Sequence, residues 1–340
     1  MNRAWRIHEY GEPSSVLRFD NVELKVPDKG QLSLRVAATS CNFADVLLCR
    51  GLYQQKPSPP FTPGLEVCGW VDSLGDGVNP AFLGSRVVGQ SILPHGGFAR
   101  VALMNAADAY IVPPAISDTT AATLHLTYLT AWLGLHRRAA VSAKDTVVVT
   151  AAAGGVGSAA VQIAHAAGAN VIAIVSGPDK AATAIGLGAD TVIDRQTDDV
   201  IKRVGAAAPN GADIVFESVG GSAYEQATKY VAFEGRIVVV GFASGVIPQP
   251  RLNHAFVKNY TVAGLHWKLY QRFRPDLIRL AQAAIFEMAA AGAIKPLITS
   301  VDFGDVPAAL EDLAGGRTVG KTVVTIGPTT SVSPYTDQER

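Results

Sequence analysis

Residues 146–176 read Thr146-Val-Val-Val-Thr-Ala-Ala-Ala-Gly-Gly-Val-Gly-Ser-Ala-Ala-Val-Gln-Ile-Ala-His-Ala-Ala-Gly-Ala-Asn-Val-Ile-Ala-Ile-Val-Ser176. Thr146 to Thr150 is a β-branched run, the composition of a strand covered on both faces in a parallel sheet. A turn of small residues follows, Ala151 to Gly157. Ser158 to Ala167 carries no charge and predicts a helix packed on the sheet, stopped by Gly168. Asn170 to Val175 predicts a second buried strand. Strand, turn, helix and strand within about 30 residues form the βαβ unit that binds dinucleotides.

The glycine pattern is altered. Ala152-x-Gly154-x-x-Gly157 keeps the second and third glycines of G-x-G-x-x-G and has alanine at the first. Gly154 lets backbone approach a pyrophosphate, and Gly157 lets the helix sit close to the strand. The turn Ala153, Gly154, Gly155, Val156 and Gly157 then presents free N–H groups and a partial positive charge to phosphates. A ligand-free glycine-rich turn is the plainer alternative, and the βαβ context weighs against it.

An NAD site places Asp or Glu at the end of the second strand, where the acid bonds both ribose hydroxyls. Here the strand runs into Ser176-Gly177, with Lys180 shortly after. A hydroxyl and a cation suit a 2′-phosphate, so NADPH is the expected cofactor. Asp179 speaks for NADH, and Lys180 also suits a solvated lysine at a helix start.

The 340 residues balance 29 Lys and Arg against 29 Asp and Glu, which leaves no bulk basic charge for nucleic acid or anionic lipid. Cys41, Cys49 and Cys68 are odd in number and form no C-x-x-C pair, as in a reduced, cytoplasmic chain. The first residues lack a signal-peptide core, and no apolar run has membrane-spanning length. A soluble, cytoplasmic protein with no membrane partner is the expectation.

Residues 1–125 alternate short apolar runs with turn residues, as in a small barrel or folded sheet. Lys56-Pro-Ser-Pro-Pro-Phe-Thr-Pro63 must be loop, because proline fixes φ and removes donors. Phe43 to Cys49 predicts a short helix. Ser117 predicts the N-cap of a helix through Leu124, and a second helix is expected from Thr127 to Arg137. Six strands follow: Thr146–Thr150, Asn170–Val175, Thr191–Asp194, Asp213–Glu217, Arg236–Val240 and Tyr260–Leu265. Helices are expected between them, at Asp179–Leu187, Asp198–Val204 and Ser222–Val231. This alternation predicts an α/β fold with a doubly wound parallel six-stranded sheet over 126–267. A helix at Pro275–Ala291 and strands near Ile298–Asp302 and Lys321–Ile326 find no place in that sheet. Residues 268–328 are therefore expected to complete the first domain, with 329–340 a tail.

Asn42-Phe-Ala-Asp45, Arg50-Gly-Leu-Tyr53, Pro60-Phe-Thr-Pro-Gly-Leu-Glu66, Gly96-Gly-Phe-Ala99, Val219-Gly-Gly221 and Arg236-Ile-Val-Val-Val-Gly-Phe-Ala-Ser-Gly245 stand in order around the glycine turn. Together they resemble the zinc-independent NADPH:quinone oxidoreductase branch of the medium-chain dehydrogenase/reductase superfamily, over about residues 4–326. The resemblance implies a GroES-like β-barrel catalytic domain split around a Rossmann domain, NADPH as hydride source, and a homodimer. Zinc-dependent relatives carry cysteine at the position of Asn42 and histidine at that of Leu65, and neither residue here is such a ligand. No metal is expected, and Glu66 and Cys68 are expected to be a satisfied carboxylate and a core thiol.

Without a metal to polarise an alcohol, hydride transfer to an electron-poor carbon is the economical reaction, with a quinone or α,β-unsaturated carbonyl as acceptor. Tyr53 resembles the catalytic tyrosine of enoyl-thioester reductases; it either donates a proton to an enolate or only lines the pocket. Asn42 is expected to hold Tyr53, the ribose or a substrate carbonyl, or else to cap a strand end. The resemblance also places Thr127 near the nicotinamide ribose, with an ordinary helix N-cap as its alternative. It puts Arg195 near the 2′-phosphate, Gly241, Phe242 and Ala243 in the crevice beyond the sheet, and Lys321 near the pyrophosphate. Arg317 either assists there or is solvated. His266 and Trp267 shape the substrate pocket or pack at a boundary. An enoyl-thioester reductase and a non-catalytic NADPH-binding protein are the competing functions.

Overall fold

The computed structural model describes residues 2–326; the tail expected at 329–340 lies outside them. Strands β1 (Asn2–Ile7) and β2 (Leu17–Val22) form an antiparallel ribbon. Strands β3 (Gln31–Ser40), β4 (Glu66–Leu74), β5 (Arg86–Ser91) and β6 (Val101–Ile111) pair antiparallel in sequence. β6 also returns to β3, with Leu32 opposite Met104 and Leu34 opposite Ala102. That second pairing closes a ring and leaves no free edge among the four strands.

The second sheet contains β7 (Thr146–Val149), β8 (Asn170–Val175), β9 (Thr191–Asp194), β10 (Ala212–Glu217), β11 (Val231–Val239) and β12 (Thr261–Gly264). All are parallel, in the order β12-β11-β10-β7-β8-β9. This is the doubly wound six-stranded fold the spacing predicts. Its faces follow the two-residue period: Val147 and Val149 join one core cluster, and Val148 joins another on the opposite face. The strand order reverses between β7 and β10, so the crevice beyond their carboxyl ends is the natural ligand site.

Strands β13 (Ile298–Asp302) and β14 (Lys321–Thr325) return to the first sheet, where β14 runs antiparallel to β3 with Val323 opposite Ser40. Continuing that register by two residues sets Lys321 across from Asn42. Cys41 donates its N–H to the Thr322 carbonyl, which keeps the pairing going past the end of β3.

The local differences from expectation have physical reasons. The helix expected from Ser158 spans Gly155–Ala166, because Gly154 is its N-cap and the glycines form its first turn. The helix expected as Thr127–Arg137 spans Leu126–Trp132 and then widens into a π-helical turn, Leu133–Arg138. β11 starts at Val231 rather than Arg236 and carries Glu234 in the left-handed region at φ 57°. Helices Leu252–Lys258 and Lys268–Phe273 bury no side chain fully, so no apolar period announces them.

Candidate active site

The glycine turn is fixed by close packing. Ala151 takes a left-handed φ of 47°, and its carbonyl accepts the Gly154 N–H at 2.9 Å. A Cβ on Gly157 would lie 2.1 Å from that same oxygen, so helix and strand approach more closely than any side chain permits. A Cβ on Gly155 would lie 3.0 Å from the Lys321 stem. Ala152, at the altered position, is wholly buried and fits without strain in that core. The Ala153 carbonyl accepts the Gly320 N–H at 2.8 Å, while Val156 packs partly against the core. Gly155, Val156 and Gly157 occupy the first helical turn, where backbone donors lack partners within the helix. These features fit a pyrophosphate.

At the ends of β8 and β9, Gly177 is left-handed at φ 91° and donates its N–H to Asp194 at 2.9 Å. The Gln196 N–H reaches the same oxygen, and these two backbone donors hold the Asp194 carboxyl below its ordinary range. Asp194 is thereby bound to fixing the Ser176–Gly177 turn. Lys180 is half-buried and donates to the Gly316 carbonyl at 2.7 Å, so it is not a freely solvated lysine. Burial, and then the exposed Arg195, push its pKa down. Neither cation has a carboxylate within 4 Å among the described residues. Ser176, Lys180 and Arg195 thus gather at one corner, with the chemistry of a site for a phosphate dianion.

Across the crevice, Gly241, Phe242 and Ala243 form the loop after β11. Ala243 donates its N–H to the Ser218 carbonyl, and Phe242 is 38% exposed. The loop rests on a turn organised by Glu217, a residue the sequence reading did not single out. Glu217 ends β10 fully buried, accepting the Val219 N–H at 2.8 Å and the Gly220 N–H at 3.0 Å. Burial raises its pKa against those donors. An acid ending the apolar run Asp213-Ile-Val-Phe-Glu217 is the signal that marks it.

The two sheets meet at a buried polar cluster. Lys321, 4% exposed, runs along Gly155 and donates to the Asn42 Oδ1 at 2.6 Å and to the Cys41 carbonyl at 3.0 Å. Its Nζ lies 3.4 Å from the Glu66 carboxylate. Glu66, fully buried, also accepts the Ser40 hydroxyl and the N–H groups of His125 and Leu126 at 3.0 and 2.7 Å. The Asn42 amide nitrogen donates to Ser40. The Asn42 amide is spent on Lys321 and Ser40, so it does not reach Tyr53. The Lys321 head turns into this cluster, and only its stem borders the glycine turn. Glu66 is the satisfied carboxylate expected of it. Cys41 lies buried beside Asp45, and burial drives its thiol pKa well upward.

Thr127 is buried, and its methyl lies 3.6 Å from where a Gly155 Cβ would stand. Its hydroxyl donates to the Thr123 carbonyl at 2.7 Å; His125 is the N-cap of that helix, so Thr127 is not the cap. Arg317 pairs with Asp312 at 2.9 Å on the surface. Trp267 is buried edge-on against the His125 ring at 5.3 Å, so it packs at the boundary between the sheets, while the adjacent His266 is exposed.

Tyr53 is partly buried against the barrel core, and its hydroxyl makes no protein hydrogen bond among the described residues. Burial, and then Asp45, raise its pKa. It therefore keeps its proton at neutral pH and has it free to give. Two residues further on, Gln55 accepts a hydrogen bond from Lys268 at 2.8 Å, which joins the Tyr53 loop to the segment after Trp267.

Comparison with known proteins places this geometry. A family model for the alcohol dehydrogenase GroES-like domain matches residues 28–114, and one for zinc-binding dehydrogenases matches 155–283. A quinone oxidoreductase-like protein 2 homolog from Nematostella vectensis is 35% identical over 328 residues, 95% of this chain and 88% of that protein. A quinone oxidoreductase of Pseudomonas syringae superposes with a TM-score of 0.89 at 30% identity, covering 96% of this chain and all of that one. The Escherichia coli quinone oxidoreductase, crystallised with NADPH, gives 0.89 at 29% identity with the same coverage.

Proposed function

We propose, from the premise that this chain belongs to the quinone oxidoreductase branch of the medium-chain dehydrogenase/reductase superfamily, that it is an NADPH-dependent enzyme passing hydride to a quinone or α,β-unsaturated carbonyl. The observation that carries the reaction type is the state of Asn42 and Leu65. Both amide atoms of Asn42 are hydrogen-bonded, and Leu65 is wholly buried in apolar core. Nothing there can hold a metal against an alcohol oxygen, so the acceptor must be electron-poor already, and the enzyme works without zinc.

NADPH supplies the hydride when bound. Ala153 to Gly157 bind its pyrophosphate, and Ser176, Lys180 and Arg195 bind the 2′-phosphate. Thr127 and the loop Gly241, Phe242 and Ala243 border the nicotinamide half. Lys321 and Asn42 act as positioning residues, fixing the glycine turn against the barrel. Tyr53 gives its proton to an enolate, whereas the hydroquinone monoanion that hydride transfer leaves takes its one remaining proton from water as readily. The catalytic domain is 1–125 completed by 268–328, and 126–267 is the nucleotide domain.

The working form is a homodimer in the cytoplasm, with no nucleic-acid or membrane partner. No helix among the described residues is long and apolar enough to cross a membrane. β12 is the edge strand of its sheet, and Leu252, Phe256 and Val257 on the preceding helix are 77%, 82% and 73% exposed. An unpaired edge beside exposed apolar side chains suits a second copy of the same surface. Phe256→Glu should convert the dimer to monomer in sedimentation; a monomeric parent removes this assignment.

The test of function is to follow NADPH absorbance with 1,4-benzoquinone, 9,10-phenanthrenequinone, a simple enone and crotonyl-coenzyme A. Turnover with a quinone or enone that survives chelators is expected. NADPH binding without turnover on any acceptor sinks the reading, and turnover on crotonyl-coenzyme A alone moves it to the enoyl-thioester reductases.

A further inference from the structure

Lys268 is a half-buried cation whose protein partner is a neutral amide, the Gln55 oxygen at 2.8 Å. No carboxylate lies within 4 Å of it among the described residues. The acid whose field it feels is Asp108, and Asp108 is already bound by Gln271 at 3.1 Å and Asn105 at 3.2 Å. The nearby His266 has its pKa lowered by burial and then by Lys268, so it adds no negative charge there. An ammonium has three donors, and here one is used. Gln55 stands two residues from Tyr53 on one loop, so the hydrogen bond ties this cation to the segment that carries the proton donor.

We infer that Lys268 forms a subsite for an anionic substituent on the electron acceptor, so the preferred acceptors carry a carboxylate, sulfonate or phosphate on the side away from the reacting ring. This rests on the quinone or enone reductase reading above and adds the charge class of its substrate. Being half-buried, the pair gains more than an exposed ion pair does, since solvent screens it less.

The test compares 1,4-naphthoquinone with its 2-sulfonate as acceptors for the parent, Lys268→Met and Lys268→Arg. The kcat/KM ratio of sulfonate to neutral quinone should fall about tenfold in Lys268→Met, the loss of one charge-assisted contact, and recover in Lys268→Arg. An unchanged ratio overturns the inference, since a lysine that merely latches the loop moves both acceptors alike. Calorimetry with naphthalene-2-sulfonate, which accepts no hydride, separates the two readings. Binding that disappears in Lys268→Met upholds the subsite even if no quinone is reduced, and binding that survives the substitution overturns it.

Discussion

The Lys321 ammonium lies 2.6 Å from the Asn42 side-chain oxygen in the interior, although 279 residues separate them in sequence. Its stem meanwhile covers Gly155 of the nucleotide turn. One side chain therefore fastens the glycine turn to the residue where zinc-dependent relatives carry a zinc ligand. With Glu66 at its centre, the cluster also takes in the N-terminus of the helix bearing Thr127.

Lys321→Met should destabilise the protein by about 3–5 kcal/mol, because it leaves the Glu66 carboxylate buried without its cation. Adding Glu66→Gln should restore part of the loss, since residues in one network couple non-additively. Urea unfolding measures both. A cost within about 0.5 kcal/mol, typical of surface substitutions, would show that the bridge contributes nothing.

Gly157→Ala and Gly205→Ala should act in opposite directions. At Gly157 the new methyl meets the Ala151 carbonyl at 2.1 Å, so the turn must open; NADPH affinity should fall at least about tenfold in a fluorescence titration, as one hydrogen-bonded contact is displaced. Gly205 sits within helix Val200–Ala207 with nothing near its Cβ position, and alanine should stabilise by about 0.5–1 kcal/mol.

Lys180→Ala and Arg195→Ala should each raise KM for NADPH by about tenfold while leaving KM for NADH nearly constant, the loss of one charged hydrogen bond to a phosphate. Parallel rises for both cofactors would remove these residues from the 2′-phosphate site.

Tyr53→Phe should slow enone reduction more than quinone reduction, because an enolate needs a proton at carbon or oxygen and a hydroquinone monoanion is protonated by water. Equal slowing of the two would leave Tyr53 as a wall of the pocket only.

Burial raises the Asp45 carboxyl to about 6, against the N–H groups of Asn42, Gly64 and Leu65 that favour its charge. A raised folded pKa means the native state holds the proton more tightly than the unfolded chain. The stability this supplies is complete below about 3.8 and disappears as pH rises through about 6. Relative to Asp45→Asn, the parent should therefore lose unfolding free energy between those pH values. A flat difference across that window would show that Asp45 is ionised in both states.

The parallel sheet was legible because its strands are covered on both faces and so are written as β-branched runs, Thr146–Val149 above all. The glycine turn was legible because close approach of helix to strand admits no side chain at Gly157. Ser176 and Lys180 were found from the end of their strand and Arg195 from the family resemblance, and the sheet then brought them together. Lys268 and Gln55 escaped notice, since two polar residues 213 apart carry no local signal. Glu66 was marked by the family motif and Glu217 only as an acid ending an apolar run, and neither carried a sign of which donors it accepts.

The sequence by itself determined the alternation of strand and helix and the glycine turn, because each follows from local periodicity or from a single residue's chemistry, and the family resemblance pointed to Asn42 and Leu65 as the zinc positions. The tertiary structure decided where the long polar side chains end. Lys321 reads as a basic residue near a pyrophosphate, yet the register of β14 on β3 sets it across from Asn42, and a buried ammonium must find acceptors there. The Asn42 amide is satisfied within the same cluster. Side-chain reach and strand register are properties of the assembled sheet, and no window of sequence contains them.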